Sequence, residues 1–225
     1  MRKLGFFLLT ILINTVLTFV IITFAVEWRD PPFVIDNTIT KIEKEFLVLP
    51  IPEVTRLEVN NIIQSNPEIF YSFYATMSGN TEASELILQK CLDKEVPINL
   101  MFALVKIESN FREKAYNVNY NGSTDRGYFQ LNSNSYPHYS KEELYDPIIN
   151  VNLGVSHYKG EYQKYGSYEM ALIGYNAGNI SRPNKTAVEY MGKVLKEEAR
   201  INDDFNDFYK DMFIDGQVNR STDSS

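Results

Sequence analysis

The sequence is poor in the residues that bind metals and form disulfides. Its 225 residues include one cysteine, Cys91, and two histidines, His138 and His157. A single thiol forms no internal disulfide, and one thiol with two imidazoles falls short of the four ligands of a structural zinc site. We therefore expect no metal site and no cofactor, and neither histidine is assigned a role.

The sequence also lacks an excess of positive charge. Lys and Arg number 22 against 29 Asp and Glu, which gives a net charge of -7. Binding to nucleic acid requires cations that neutralise phosphates, so nucleic acid is not an expected partner. The composition, 44% hydrophobic and 23% charged, is that of a globular protein, and the length suits one main domain with extensions.

Charged residues are absent from residues 4–26, which follow Arg2 and Lys3. An apolar run of about 20 residues is long enough to cross a bilayer, whereas the core of a cleaved signal peptide is usually about 7 to 15 residues. We expect segment 1–27 to be a signal anchor in the cytoplasmic membrane; a signal peptide cleaved near Ala25 is the alternative. Both interpretations export the rest of the chain to the periplasmic side of the cell envelope.

The segments after the apolar run differ in composition. Four of the nine prolines lie in residues 28–52, which show little periodicity, and this predicts a stalk or linker. The remaining segments are predicted as a helical extension over 53–96, a main domain over 97–200, and a polar C-terminal tail over 201–225.

The first predicted helix of the main domain is apolar on nearly all sides. Pro97 and Asn99 mark its start, and apolar residues follow with helical spacing at Leu100, Ala103, Leu104 and Ile107. Such a helix is buried, so Glu108 at its end is expected to meet an apolar wall. Desolvation would raise the pKa of this carboxyl, as a general acid working near neutral pH requires. The alternative from the pattern alone is a solvated carboxylate at a helix end.

Capping signals and turn residues predict the other elements, which together form a mainly α fold with a small β-hairpin or loop region. Residues 117–135 are rich in Asn, Gly, Ser and Asp, with Asn121-Gly122 as a turn and a short alternating piece over 128–131. Helices are predicted from Asn66-Pro67 to Gly79, from Asp146-Pro147 to about Tyr165, from Ser167 to Tyr175, and from a capping box at Thr186 and Glu189.

Several short motifs follow one another in a fixed order. They are ESNF (108–111), GYFQ (127–130), DPIINVNLG (146–154) and GYNAG (174–178), followed by Tyr190. These resemble the ESxF, GLMQ, DPxxNIxxG and AYNAG blocks and the late tyrosine of the soluble lytic transglycosylase (SLT) domain family, a branch of the lysozyme superfamily. The resemblance covers about residues 97–195 and implies an α+β lysozyme-like fold and a peptidoglycan lytic transglycosylase.

In this family one carboxyl group is both acid and base, and the resemblance assigns that role to Glu108. The acid protonates the glycosidic oxygen between N-acetylmuramic acid and N-acetylglucosamine. It then accepts the proton of the C6 hydroxyl, which attacks C1 and yields a 1,6-anhydro product. The resemblance also implies that Gln130, Tyr175, Asn176 and Tyr190 line the sugar cleft, where amides and phenols bond hydroxyls and rings stack on sugars.

The chain departs from the family pattern at two positions. Asn117 stands where many members have a serine that hydrogen-bonds the acid, and Phe129 replaces the methionine of GLMQ. Because the asparagine amide can donate to a carboxylate, we expect Asn117 to contribute to the site.

Asp125 leaves a second function open. The stretch GSTDRGYFQLNS resembles the loop of animal-type lysozymes in which an aspartate is the second catalytic carboxylate. One alternative is therefore a hydrolytic muramidase that uses Glu108 and Asp125, although Asp125 is also a favoured turn residue. A non-catalytic glycan-binding scaffold of an envelope complex is a further alternative. Peptidoglycan glycan strands are the expected partner in all three.

Overall fold

Helices make up most of the part of the chain that the structure describes. The computed structural model describes residues 56–178 and 184–212, all within the compact unit Leu49–Ser225. The predicted anchor, the stalk and the end of the polar tail lie outside the described residues. Within the described ranges, no helix is long and apolar enough to span a membrane.

The described residues begin with four helices, continue through a small sheet and end with four more helices. The first helices are α1 (Arg56–Ser65), α2 (Pro67–Ser78), α3 (Thr81–Lys94) and α4 (Ile98–Ser109). The strands are β1 (Tyr116–Val118), β2 (Thr124–Arg126) and β3 (Leu131–Asn132). The last helices are α5 (Lys141–Tyr145), α6 (Pro147–Tyr165), α7 (Tyr168–Ala177) and α8 (Lys185–Lys210). The prediction of a mainly helical fold with a small β region is confirmed.

Local capping residues set most of the helix ends. The side chain of Asp146 accepts a hydrogen bond from the backbone N–H of Ile149 at the start of α6, and Ser167 does the same for Met170 in α7. Gly79 ends α2 in the left-handed conformation, with a φ of 67°. These predicted helix ends are confirmed.

The predicted capping box at Thr186 is wrong. Thr186 lies inside α8, and the capping residue is Asn184, whose side chain accepts from the backbone N–H of Ala187 at 2.8 Å. Asparagine is a better N-cap than threonine, and this cap, two positions upstream of Thr186, lengthens the helix by about half a turn. The helix therefore begins before the predicted motif, and it continues to Lys210.

Helix α4 is the centre of the core. Every residue from Ile98 to Val105 is buried, and the helix packs against α1, α3 and α8. The ring of Phe102 lies 4.3 Å from that of Tyr74, centroid to centroid. Burial of each large apolar side chain contributes roughly 1.5–3 kcal/mol to folding stability. The buried residues of α4 therefore hold this helix firmly in the core. Its C-terminal end, where Glu108 lies, is therefore held in a fixed position.

The helices before residue 97 pack onto the rest of the fold. The buried side chain of Asn60 on α1 donates to the carbonyl of Val96 and accepts from the N–H of Ile98, which fixes the start of α4. Phe70 on α2 stacks on Phe205 of α8 with centroids 5.1 Å apart. These contacts cross the boundary predicted between the extension and the main domain.

The sheet is antiparallel with the order β1, β2, β3. Its register places Asn117 opposite Asp125, and Asp125 opposite Asn132. Side chains that face each other across strands lie on the same face of a sheet. Three polar side chains therefore form a row across the sheet, with the aspartate in the middle.

The alternating piece over 128–131 does not form a strand along its length. Tyr128 and Phe129 are both buried in the turn between β2 and β3, and only Leu131 and Asn132 pair as β3. The backbone N–H of Phe129 donates to Asn150 of α6 instead of to a neighbouring strand. Packing against the helix therefore outweighs the strand pattern here.

Candidate active site

Helix α4 ends at Ser109, one residue after Glu108, and the chain turns there. The next three residues explain the ESNF motif: Ser109 is buried and donates to the carbonyl of Val105, while Asn110 and Phe111 both take left-handed conformations, with φ of 52° and 58°. Two successive non-glycine residues with positive φ are uncommon and are held here by the burial of Phe111. This turn leaves the acid at the end of a buried helix.

The carboxyl group of Glu108 has the properties of a general acid. Its pKa is raised to about 7: burial raises it most, a hydrogen bond from Tyr190 partly opposes this rise, and the charge of Asp125 adds to it. The phenol of Tyr190, on α8, donates to Oε1 of Glu108 at 2.5 Å. Burial and the charge of Glu108 raise the pKa of Tyr190 well above its usual value, so this phenol remains a donor. The late tyrosine therefore contacts the acid.

Helix α6 holds the GYFQ turn in place through two residues of the DPIINVNLG motif. The buried amide of Asn150 accepts from the N–H of Phe129 and donates to the carbonyls of Arg126 and Leu144. A Cβ at Gly154 would lie 2.1 Å from the ring of Phe129, so only glycine permits this approach. The two motifs therefore form one packed unit beside the acid.

Tyr175 of α7 reaches the same turn. Its hydroxyl donates to the carbonyl of Phe129 at 2.7 Å. The side chain of Gln130 donates to the carbonyl of Gly127 at 2.9 Å, and Gln130 has a positive φ of 45°. A polar residue held in a sparsely populated conformation beside a cleft is a common feature of binding sites.

Asp125 is surrounded by amide donors. Its Oδ2 accepts from the side chains of Asn117 at 3.1 Å and Asn119 at 2.9 Å, and its Oδ1 accepts from Asn132 at 2.7 Å. Asn117 therefore lies in the site but donates to Asp125, because the strand register places its amide opposite that carboxylate. Asn119 and Asn132 are not predicted from the sequence.

Most of these groups line one cleft, which has a volume of about 1160 Å³. It contains six of the seven predicted site residues: Glu108, Asn117, Asp125, Gln130, Tyr175 and Asn176. Tyr190, the seventh, contacts the cleft through its bond to Glu108. The cleft also contains residues that the sequence analysis does not assign: Arg112, Tyr136, His157 and Glu161.

His157 belongs to the cleft wall rather than to the surface. Its ring lies 4.7 Å from that of Tyr175 and 6.3 Å from that of Tyr136. Burial lowers the pKa of this imidazole, and the charge of Glu161 offsets the effect only in part. The neutral ring therefore predominates at pH 7. In the described part of the chain, no cluster of His, Cys, Asp or Glu is suited to hold a metal ion.

The sequence belongs to the Transglycosylase SLT domain family, whose model matches residues 85–197. Two curated relatives are similar over this region. Protein IpgF of Shigella flexneri is 30% identical over 122 residues, which is 49% of this chain and 80% of that protein. Invasion protein IagB of Salmonella typhi is 27% identical over 133 residues, or 56% of this chain and 83% of that one.

Two solved structures are also similar to this chain. The 70 kDa soluble lytic transglycosylase of Escherichia coli aligns with a TM-score of 0.45 and 20% identity, over 74% of this chain and 32% of that one. The lytic transglycosylase Slt of Pseudomonas aeruginosa, in an inactive mutant, aligns with a TM-score of 0.43 and 18% identity, over 52% of this chain and 23% of that one. This chain thus spans a third or less of either protein.

Proposed function

We propose that this protein is a peptidoglycan lytic transglycosylase. It cleaves the β-1,4 bond between N-acetylmuramic acid and N-acetylglucosamine and releases a 1,6-anhydro-muramyl product. The observation that supports this most strongly is the Glu108 carboxyl, whose pKa is raised to about 7 beside a cleft large enough for several sugars. Membership of the SLT family supports peptidoglycan as the substrate.

In the first step, protonated Glu108 donates its proton to the glycosidic oxygen. A carboxyl with a pKa near 7 is largely protonated below neutral pH and loses its proton readily when the bond breaks. The phenol of Tyr190 then stabilises the carboxylate that forms, because it already donates to Oε1. The C1–O4 bond breaks, and the leaving sugar keeps the proton.

In the second step, the Glu108 carboxylate acts as the base. It takes the proton of the C6 hydroxyl while the C6 oxygen bonds to C1, which restores the protonated acid and closes the anhydro ring. Between the steps, the acetamido group of the substrate stabilises the positive charge at C1, so the protein supplies no second carboxylate. No water molecule enters the product.

The other cleft residues suit a sugar ligand. The amides of Gln130 and Asn176 present donors and acceptors that match hydroxyls and acetamides, and the ring of Tyr175 presents an aromatic face. We assign substrate binding to these three residues and to Asn117, which also lines the cleft.

Hydrolysis by Glu108 and Asp125 is the second candidate, and one observation favours it. Asp125 lines the cleft, and three asparagine amides hold its carboxylate in one orientation. A fixed carboxylate opposite a protonated acid is the arrangement of retaining glycosidases. In our preferred mechanism Asp125 instead contacts substrate, and it raises the pKa of Glu108 through its charge.

Digestion of purified peptidoglycan by the domain tests the proposal. Mass spectrometry of the released muropeptides should identify anhydro-muramyl ends with the parent protein and with Asp125→Asn, and no products with Glu108→Gln. Reducing ends that require both carboxylates would favour the hydrolase. Wall binding without release of muropeptides by the folded parent would contradict both enzymatic functions.

We further propose that the domain works outside the cytoplasmic membrane, where peptidoglycan lies. Residues 4–26 have the length and apolarity of a membrane-spanning segment that follows a basic start. Protease added to spheroplasts should degrade the domain, as it would an exported protein. Protection of the domain until the membrane is lysed would contradict this location.

A further inference from the structure

Glu161 places a carboxylate on the cleft wall that the proposed mechanism does not use. It lies on α6, one turn after His157, and only 15% of its side chain is exposed. The sequence offers no signal for it, because it belongs to none of the family motifs. A buried carboxylate in a sugar cleft requires a partner of its own.

The described part of the chain supplies Glu161 with little compensation. Its Oε2 is buried and accepts no hydrogen bond there, and Nζ of Lys164 lies 3.8 Å away on a side chain that is 53% exposed. An ion pair with so exposed a lysine contributes little. The other two carboxyl groups of the cleft differ, because Glu108 accepts from Tyr190 and Asp125 accepts from three asparagines.

The neighbouring helix is shaped to admit this carboxylate. A Cβ at Gly174 would lie 2.2 Å from Oε2 of Glu161 and 2.9 Å from Cε2 of Tyr165. The carboxylate of Glu161 therefore fills the space that a side-chain methyl group at position 174 would take.

We propose that Glu161 is a specificity-determining residue that binds a protonated amine of the wall polymer. This proposal rests on the proposed function, since it assumes that the cleft takes glycan strands. The amine belongs either to a de-N-acetylated amino sugar or to the diamino acid of the stem peptide. Both are cations that donate charge-assisted hydrogen bonds, and the contacts within the cleft do not distinguish them.

Electrostatics favour an amine over a neutral hydroxyl. The cleft contains three carboxyl groups and one arginine, Arg112, whose Nε donates to the backbone carbonyl of Ser109. His157 adds little positive charge at pH 7, because burial lowers its pKa. A cation therefore meets a carboxylate that Lys164 compensates only weakly, and a charged hydrogen bond is about twice as strong as a neutral one.

Binding assays in a Glu108→Gln background separate this proposal from cleavage. One arm compares a tetrasaccharide of N-acetylglucosamine with the same oligomer carrying one free amine. The other compares a muropeptide whose stem amine is free with its N-acetylated form. Adding Glu161→Gln should weaken binding of the amine-bearing ligand about tenfold in one arm, and binding of its acetylated counterpart less than twofold. The arm that responds identifies the source of the amine.

Two further variants complete the design. Gly174→Ala should mimic Glu161→Gln, because the new methyl group displaces the carboxylate. Glu85→Gln removes a charge from an exposed site on α3 and should leave the affinity for both ligands unchanged. An equal loss of affinity for the free-amine and acetylated ligands, or no loss of affinity in either arm, would overturn the proposal. Selective amine binding by a parent that releases no anhydro product would instead contradict the proposed function alone.

Discussion

Tyr190 and Glu108 are 82 positions apart in the sequence, yet the phenol of one donates a 2.5 Å hydrogen bond to the carboxyl of the other. The tyrosine lies on α8 and the glutamate at the end of α4, two helices that pack together in the core. Helix packing therefore fixes the geometry of the acid. The bond also opposes the effect of burial on the pKa of Glu108.

Replacing Glu108 by glutamine should abolish turnover without unfolding the protein. General acid–base catalysis contributes about 10²–10⁴-fold to rate, so we expect kcat to fall by roughly 10³-fold or more. The neutral amide fits the same volume and needs no ionisation, so the thermal midpoint should stay or rise. Release of soluble muropeptides and a melting curve measure the two effects. Activity within tenfold of the parent would show that another residue is the acid.

Tyr190→Phe removes the hydrogen bond and leaves the ring in place. Because that bond lowers the pKa of Glu108, its loss should raise the pKa and move the alkaline limb of the pH–rate profile to higher pH. Loss of a hydrogen bond to a charged group costs about 1.5–3 kcal/mol, so kcat/KM should fall about 10- to 100-fold. A fall in rate with no movement of the alkaline limb would indicate a purely structural role for the phenol.

The free energy of unfolding should decrease between about pH 4.5 and pH 7 through Glu108. The carboxyl titrates near 7 in the folded protein and near 4.5 in the unfolded chain, so the folded state binds more protons in this window and loses stability as pH rises. The shift corresponds to about 3 kcal/mol.

Denaturant unfolding at several pH values, for the parent and Glu108→Gln, isolates this contribution, because other groups titrate alike in both proteins. The difference in unfolding free energy between the two should change across the window. A difference that is independent of pH would contradict the raised pKa of Glu108.

Arg56 and Glu198 form a buried ion pair between α1 and α8. Arg56 donates to both carboxylate oxygens, at 2.6 and 2.7 Å, and the two side chains are 14% and 4% exposed. Arg56→Ala leaves a buried carboxylate unpaired and should lower the unfolding free energy by about 3–5 kcal/mol.

The exposed arginine of α8 is a matched control for the buried pair. Arg200 pairs with Glu197 and Asp204 at the surface, so Arg200→Ala should cost about 0–1 kcal/mol. Chemical denaturation measures both variants under the same conditions. Equal effects of the two substitutions would show that the Arg56 pair does not support the fold.

The elements that the sequence predicts best depend on local chemistry. Asp146, Ser167 and Gly79 act on backbone groups within a few residues, so their sequence signals are sufficient to place helix ends. The burial of α4 follows from its nearly continuous apolar surface. The apolar surroundings of Glu108 can be predicted as well, because the acid lies at the end of that buried helix.

The features that the sequence does not predict depend on packing between distant segments. Asn119 and Asn132 are two of many asparagines in a polar stretch, and only the strand register brings them to Asp125. His157 and Glu161 lie on α6, and the packing of that helix against α7 and β3 decides which of its sides faces the cleft. No periodicity distinguishes that side from the solvent-exposed side.

Digestion of peptidoglycan in water enriched in ¹⁸O tests the proposed mechanism most directly. Transfer of the C6 hydroxyl to C1 closes a ring inside the sugar, so every released muramyl end should be an anhydro sugar that contains no oxygen from the solvent. Hydrolysis breaks the same bond but adds a water molecule. Reducing muramyl ends that carry one ¹⁸O atom, formed by the parent and lost in both Glu108→Gln and Asp125→Asn, would contradict a single-carboxylate transglycosylase.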